Sequence, residues 1–412
     1  MINSLRGMND TLPNESEAFR YFLDICEQTA YKYGVKPIFV PILEETALFK
    51  RSVGESSDIV GKEMYRFTDK GENDVCMRPE GTAGVVRAFV QAKLDRAGGR
   101  HAWYYWGPMF RYERPQKGRL RQFHQFGVEI FGEADITEDV NAICMIADIF
   151  DVLEIKFSVK INSLGCNECS PSYRQKLVAF LENIKHELCE DCHRRIITNP
   201  LRTLDCKVEK CKAHLVSAPK ITDNLCLSCE NDFTKLQKLL QLKNIPFEVD
   251  KNLVRGLDYY NKTAFEFTAD TGGSQNAVAG GGRYDKLVEF LDGKPTPAVG
   301  FAIGIERVLP LINVAEEKRD GLYLCTTIES ELETIFLRGL ELRKHFVTHI
   351  SYDTKQIKNH LKNADRSNAL LFVCIGDEEN ENGEVWIKNL RTKEESKIPQ
   401  GELEQYLARI LN

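Results

Sequence analysis

The sequence predicts an α+β fold: a mainly antiparallel sheet with flanking helices, interrupted by a helical insertion and followed by a small α/β domain. Three observations carry this. Over residues 1–165 and 246–313, long hairpin candidates outnumber strand–helix alternations, which favours antiparallel pairing over a doubly wound sheet. Residues 166–245 break the strand pattern with a charged, helical, cysteine-rich stretch. In residues 320–412, apolar strands alternate with helical stretches, the pattern of βαβ units on a mostly parallel or mixed sheet.

A chain of 412 residues is long enough for two or three domains, each with its own core. Its 42% hydrophobic and 28% charged content is ordinary for a globular protein. A formal net charge of -6 argues against holding nucleic acid by bulk electrostatics. A local basic surface stays open, because affinity follows the phosphates actually contacted. No apolar run is long enough to span a bilayer, so no membrane partner is expected, and Met1 to Arg6 does not begin a secretory signal. With no such signal, 13 cysteines point to a reducing, cytoplasmic setting in which thiols are free or metal-bound.

Along the first zone, helical periodicity covers Glu17 to Tyr33 and Gly81 to Asp95. Strand-like runs cover Lys36 to Leu43, Trp103 to Tyr112, Gln125 to Phe131 and Val159 to Leu164. The most informative stretch is Trp103 to Glu129. An aromatic run ends in Arg111, a basic Pro/Gly loop carries Arg114, Gln116, Lys117, Arg119 and Arg121, and an apolar/polar alternation returns. That is a long hairpin. A basic loop alone is usually just solvated. An arginine on a strand pattern is different, since burying a guanidinium needs an anionic partner, and phosphate is the natural one.

Arg78 to Thr82 opens the second helical stretch, so Glu80 and Thr82 fall where a helix start leaves N–H groups unpaired. A cap is the common reading; a carboxylate aimed at a substrate ammonium is the other. In Leu253 to Phe267, Arg255 precedes a glycine turn, and Tyr259 and Tyr260 supply two phenols. Ala279 to Asp285 contains three consecutive glycines, which permit close backbone approach but match neither the Walker nor the dinucleotide pattern. Pro297 to Arg307 is a small-residue strand running into a helix near Gly304, with Arg307 in its first turns.

Arg111, Arg255 and Arg307 all fall at element ends. Three separated arginines suit the attack of a carboxylate on the α-phosphorus of ATP, where two anions approach and charge builds on non-bridging oxygens.

In the insertion, eight cysteines form four pairs: Cys166/Cys169, Cys189/Cys192, Cys206/Cys211 and Cys226/Cys229. Three are C-x-x-C, the spacing that offers two thiolates to one tetrahedral ion, so structural Zn²⁺ is expected over disulfides. Reduced thiols packed as small apolar residues are the alternative. His186, His193 and His214 lie close enough in sequence to substitute as ligands.

In the third zone, residues 316–321 read as a linker. Strands are expected at Leu322 to Thr326, Thr348 to Tyr352, Ala369 to Ile375 and Glu384 to Asn389. Helices are expected at Glu331 to His345, Gln356 to Asp365 and Glu402 to Ile410.

Nearly the whole chain resembles the bacterial histidyl-tRNA synthetases, a family of class II aminoacyl-tRNA synthetases. Arg6 to Asp10 and Pro41 to Glu45 resemble the family's N-terminal segment and dimer-forming first motif; Phe110 to Glu113 with its loop resembles the second, and Gly300 to Arg307 the third. Leu253 to Tyr260 and Ala279 to Asp285 resemble the two histidine-specific signatures.

The resemblance implies a class II catalytic core (1–165 and 246–313), the insertion (166–245) and an anticodon-binding α/β domain (320–412). It implies a homodimer that activates L-histidine with ATP and Mg²⁺ and charges tRNA(His). Glu80, Thr82 and Gln125 would hold the α-amino group, Glu129 and Tyr260 the imidazole, with Gly81 and Tyr259 in the same histidine set. Arg111 and Arg255 would act catalytically on the α-phosphate, Arg111 also meeting the substrate carboxylate. Arg307 would clamp the γ-phosphate, Glu113 neighbour the adenine amino group and Phe123 stack on adenine. Arg114, Gln116, Lys117 and Arg119 would reach the tRNA acceptor end. The rival expectation is a regulatory, synthetase-like subunit of ATP phosphoribosyltransferase. Such proteins lack the anticodon domain and usually degrade the Arg255 segment.

Overall fold

The computed structural model describes residues 2–54, 57–270, 276–313 and 318–411. It divides into two compact units, Met1–Asn313 and Val314–Asn412. The strands of the first unit are β1 (Lys36–Pro37), β2 (Leu43–Glu45), β3 (Arg66–Thr68), β4 (Asp74–Met77), β5 (His101–Phe110) and β6 (Gln122–Phe131). They continue as β7 (Ser158–Ser163), β8 (Phe247–Val249), β9 (Asn261–Thr268), β10 (Ala277–Arg283) and β11 (Ala298–Gly304).

Eight of these make one sheet in the order β1-β5-β6-β11-β10-β9-β7-β8, and β2-β4-β3 make a small second one. Within the large sheet only the outermost pairs, β1·β5 and β7·β8, are parallel. The remainder is antiparallel, as the hairpin-rich pattern predicts.

Helices Pro13–Lys32 and Thr137–Val152 bury one face of this sheet. The second is apolar nearly all round, with Ile143, Cys144, Met145, Ile146 and Ala147 buried in succession, which is the signature of a helix enclosed in a core. Its Phe150 meets Phe267 of β9 edge-on at 5.7 Å. On the sheet's other face, helix Thr82–Gln91 stacks Phe89 on Phe131 at 4.3 Å, and Tyr105, Tyr259 and Tyr284 join the same cluster. The site lies on that face.

The run Lys36 to Leu43, expected as one strand, is two short pieces in different sheets. Pro37 and Pro41 supply no N–H to a ladder, so pairing stops after Ile38 donates to the Tyr104 carbonyl at 2.8 Å.

The insertion folds as helices Ser170–Asn183, Glu190–Thr198, Glu209–Leu215 and Leu227–Leu242. The first three enclose a small core of Tyr173, Leu177, Leu181 and Ile196 with Cys192 and Cys211. The fourth instead sends Phe233, Leu236 and Leu240 into the main core.

The second unit is a five-stranded mixed sheet. β12 (Asp320–Thr326) pairs in parallel with β13 (Thr348–Ile350) and β14 (Ala369–Ile375). Antiparallel β15 (Glu384–Asn389) and β16 (Glu395–Pro399) complete it. Helices Leu332–Leu342, Ile357–Arg366 and Leu403–Leu411 stand where periodicity predicts them. β16 and the helix Asp377–Asn382 were not foreseen: the helix is entirely polar, and the five-residue strand has Ile398 as its one large apolar side chain, too little to read as a period. Of the expected linker, Glu316 and Glu317 lie outside the described residues, while Asp320 and Gly321 already belong to β12. No helix among the described residues is long and apolar enough to cross a membrane.

Candidate active site

One cavity gathers most of the residues singled out in the sequence. Gln125 of β6, Phe301 and Ala302 of β11, and Ala279 and Gly280 of β10 line it from the sheet.

The hairpin supplies its cationic side. β5 and β6 pair from His101↔Phe131 to Phe110↔Gln122, and the Arg111 N–H then donates to the Arg121 carbonyl at 2.9 Å, closing the loop. Arg111 therefore sits one residue beyond the strand, its Nε donating to the Pro79 carbonyl at 2.9 Å and its guanidinium 5.2 Å from the Phe123 ring centroid. Glu113 lies between two cations, 2.5 Å from Arg119 Nε and 4.0 Å from an Arg111 nitrogen.

Arg307 comes from the short helix Ile305–Val308 that follows β11, donating to the carbonyls of Gly118 at 2.9 Å and Ala277 at 2.8 Å. Burial depresses its pKa, and the positive charges of Arg119 and Arg111 depress it further. Among the described residues no carboxylate forms an ion pair with it. Three mutually repelling guanidinium groups around one hollow make a site for a polyanion.

Arg255 stands apart on the irregular segment before β9. It donates to Glu266 Oε2 at 3.1 Å and lies 5.9 Å from the Tyr260 ring centroid. β-Sheet register explains the partner: Glu266 is paired with Gly280, and the guanidinium lies over that glycine. A Cβ at position 280 would be 2.6 Å from both terminal nitrogens.

The remaining wall is polar and acidic. Glu80 accepts from the N–H groups of Thr82 at 2.7 Å and Ala83 at 3.0 Å, so it caps helix Thr82–Gln91 while also lining the cavity. Burial pushes its carboxyl pKa up, tempered by those bonds. Thr82, Tyr259 and Tyr260 line the same wall.

Glu129 does not line the cavity. It is 1% exposed beneath the wall, accepting from Thr82 Oγ1 at 2.7 Å, from the Tyr105 hydroxyl at 3.1 Å and from the Tyr284 hydroxyl. Burial pushes it up to about 8, although the hydrogen bonds from Tyr284 and Thr82 pull the other way. Gly81 is not on the wall either. It makes room for the Tyr105 ring, which a Cβ at Gly81 would meet at 2.1 Å and one at Gly127 at 2.3 Å. Gly300 does the same for Glu129.

The buried polar atoms with no hydrogen-bond partner among the described residues include Gln125 Oε1, Arg255 Nε and the Tyr259 hydroxyl. Gln125, Arg255 and Tyr259 all line the cavity. Leaving such groups unpaired costs about 1–3 kcal/mol each, a cost that a polar ligand removes.

Arg114, Gln116 and Lys117 are exposed on the hairpin loop and do not line the cavity; Arg119 does. The eight insertion cysteines form two groups, Cys166/Cys169/Cys226/Cys229 and Cys189/Cys192/Cys206/Cys211. His186, His193 and His214 belong to neither.

Sequence reasoning missed Tyr105, Glu266, Glu306 and Tyr284. Glu266 had a readable signal, a lone carboxylate between Phe265 and Phe267, both buried on the opposite face. Glu306 lines the cavity and accepts from the His124 N–H at 2.9 Å. Tyr105 had no signal, since nothing in an aromatic run says which ring faces a pair of glycines.

Comparison with known proteins agrees with this chemistry. The family model for histidyl-tRNA synthetase matches residues 7–308, and that for an anticodon binding domain matches residues 340–410. A curated histidine–tRNA ligase from Sulfurimonas denitrificans is 60% identical over 97% of this chain and 99% of its own length. One from Campylobacter jejuni is 52% identical over 99% of this chain and 100% of its own. An apo crystal structure of S. aureus histidyl-tRNA synthetase superposes with a TM-score of 0.83 at 34% identity, covering 98% of this chain and 99% of that one. A Bacillus halodurans structure described as an ATP phosphoribosyltransferase regulatory subunit/histidyl-tRNA synthetase, 20% identical, shares the fold with a TM-score of 0.62 over 88% of this chain and 96% of its own.

Proposed function

The chain belongs to the histidyl-tRNA synthetase family, and on that premise we propose how its cavity works. The reaction is the ATP-dependent ligation of L-histidine to tRNA(His), releasing AMP and diphosphate. The observation that carries the residue roles is that one cavity is lined both by Arg111, Arg119, Arg255 and Arg307 and by Glu80, Gln125, Tyr259 and Tyr260.

Histidine binds with its ammonium toward Glu80, Thr82 and Gln125. Its imidazole faces Tyr260, with Glu129 behind the wall. The histidine carboxylate, already ionised at neutral pH, needs no general base. It attacks the α-phosphorus, forming the acyl–phosphate bond as diphosphate leaves. Arg111 and Arg255 offset the charge building on the α-phosphate oxygens, a contribution of about 10²–10³ in rate for one well-placed donor. Arg307 holds the γ-phosphate, Glu113 the adenine amino group, and Phe123 the adenine face. In the second step the terminal ribose hydroxyl of tRNA attacks the histidyl carbonyl, and AMP leaves.

Mg²⁺, which the family uses with ATP, would supply neutralisation of phosphate charge when bound. The lining carboxylates Glu113, Glu266 and Glu306 are already bonded to Arg119, Arg255 and His124, so they suit an ion carried on phosphate and water better than a protein cage.

The exposed Arg114, Gln116 and Lys117, with Arg119, contact the tRNA acceptor end. The three-part division made from the sequence assigns anticodon reading to residues 320–412, single-stranded loops being what such domains recognise. Exposed Phe39, Ile42, Leu43 and Phe67 on and beside the small sheet support a homodimer formed there. The chain works in the cytoplasm, and the insertion cysteines hold structural Zn²⁺.

The test is ATP–pyrophosphate exchange with each of the twenty amino acids. Exchange with histidine alone is expected. Histidine binding without exchange would instead assign the regulatory-subunit role.

A further inference from the structure

We propose that Cys189, Cys192, Cys206 and Cys211 form a four-thiolate zinc site that positions the loop carrying Arg255. This rests on the zinc reading of the insertion and on the catalytic role given to Arg255.

The sulfur geometry comes first. Four Zn–S bonds of about 2.3 Å in a tetrahedron require S···S separations of about 3.8 Å, whereas a disulfide needs about 2.05 Å. Cys189 and Cys206 sulfurs are 3.8 Å apart; in the other group the separations are 3.7 Å for Cys166–Cys226, 3.8 Å for Cys166–Cys169 and 3.9 Å for Cys169–Cys229. Within each group all four sulfurs lie within 4.8 Å of one another, and all eight cysteines are free. Backbone N–H groups already point at sulfur, from Cys189 to Cys211 at 3.2 Å and from Cys166 to Cys169 at 3.1 Å. Such donors offset the charge of the dianionic centre that forms when zinc displaces four protons.

The connectivity is nested: the first cysteine pair joins the fourth, and the second joins the third. The outer group closes the ends of the insertion. The inner group fastens short pieces, helices of nine and seven residues and a 3₁₀ turn of six, that cannot hold their shape alone.

The residues of the inner module that hydrogen-bond Asp58, Gly256 and Asp258 lie between Cys192 and Cys206. Arg194 and Arg195 bond the Asp58 carboxylate at 2.8 and 3.0 Å, directly before Ile59 of the cavity lining. Asn199 donates to Asp258 at 2.8 Å, and Arg202 donates to the Gly256 carbonyl. Asp258 and Gly256 flank the turn that presents Arg255. The inner cysteines thus bracket a clamp on the Arg255 loop, and metal is what closes the bracket.

The experiment uses the full chain purified from zinc-supplemented cells, with three readouts: zinc per chain by mass spectrometry, amide hydrogen exchange of residues 253–260, and histidine-dependent pyrophosphate exchange. Wild type should carry two zinc ions. Cys206→Ser/Cys211→Ser should carry one, exchange the 253–260 amides faster, and lose about ten- to hundredfold in kcat with ATP KM within about threefold. Arg202→Ala should keep both ions yet show the same kcat loss and faster exchange. Wild type without zinc would overturn the metal site. A double variant that loses one ion while keeping wild-type kcat and protection would overturn the positioning role. Should that variant fail to fold, a fully active Arg202→Ala overturns it equally. A fully active Arg255→Ala would sink the catalytic reading, and unchanged amide protection at 253–260 would still separately sink this one.

Discussion

Replacing Gly280 with alanine tests whether Arg255 must stand where it does. The backbone at this position tolerates alanine, being ordinary strand, but the new Cβ would lie 2.6 Å from both terminal nitrogens of Arg255. A relaxed contact needs about 3.5 Å, so the guanidinium must retreat by about 1 Å. Its freedom to do so at the end of a flexible side chain spares the fold. Catalysis has no such freedom: a 1 Å misplacement of a catalytic group costs about 10² in rate, or about 2.7 kcal/mol of barrier. Pyrophosphate exchange with histidine should therefore fall about a hundredfold, while the thermal midpoint shifts by no more than a few degrees. Exchange within about threefold of wild type, in a folded protein, would refute the claim that Arg255 acts from this position.

Other expectations concern separate parts of the molecule. Glu129 titrates near 4.5 when unfolded but is pushed up to about 8 in the fold, so between those values the unfolded chain ionises while the folded one keeps its proton. Stability present at low pH is lost as pH rises, and Glu129→Gln should flatten that decline between about pH 5 and 8; parallel pH profiles for the two proteins would refute it. Asp139→Ala leaves Arg283, 1% exposed, without the carboxylate that accepts from its Nε at 3.0 Å. It should cost about 3–5 kcal/mol in urea unfolding, and a loss below about 1 kcal/mol would mean Asp285 and the nearby carbonyls suffice. Arg114→Ala/Lys117→Ala should slow tRNA charging and reduce its salt dependence by about one per lost phosphate contact, leaving pyrophosphate exchange intact. An equal loss in exchange would place these residues in ATP binding instead.

The sequence made the large sheet legible because its information is local. The β5–β6 hairpin announces itself by an apolar run, a Pro/Gly loop and an alternation, and the arginines stand out because a cation at a strand end needs a reason. What stayed hidden depends on register between distant segments. Glu266 meets Arg255 because β9 and β10 align it with Gly280. Glu129 lies beneath the wall because Gly300, opposite it across β6 and β11, leaves the space. The cysteine spacing advertised metal, but no spacing rule says that the first pair joins the fourth. β16, a five-residue edge strand with Ile398 as its one large apolar side chain, is too short for its alternation to be read from the sequence.

The insertion leaves the sheet after β7 and returns in β8, its immediate parallel neighbour. Its ends are therefore held by the same ladder whatever lies between them. For a flexible connection of about eighty residues, loop-closure entropy costs about 4 kcal/mol, and doubling the length adds only about 0.6 kcal/mol. Chain closure thus sets almost no limit on the length of this excursion; what ties its content to the catalytic sheet is side-chain packing, above all Phe233, Leu236 and Leu240 of its last helix in the main core.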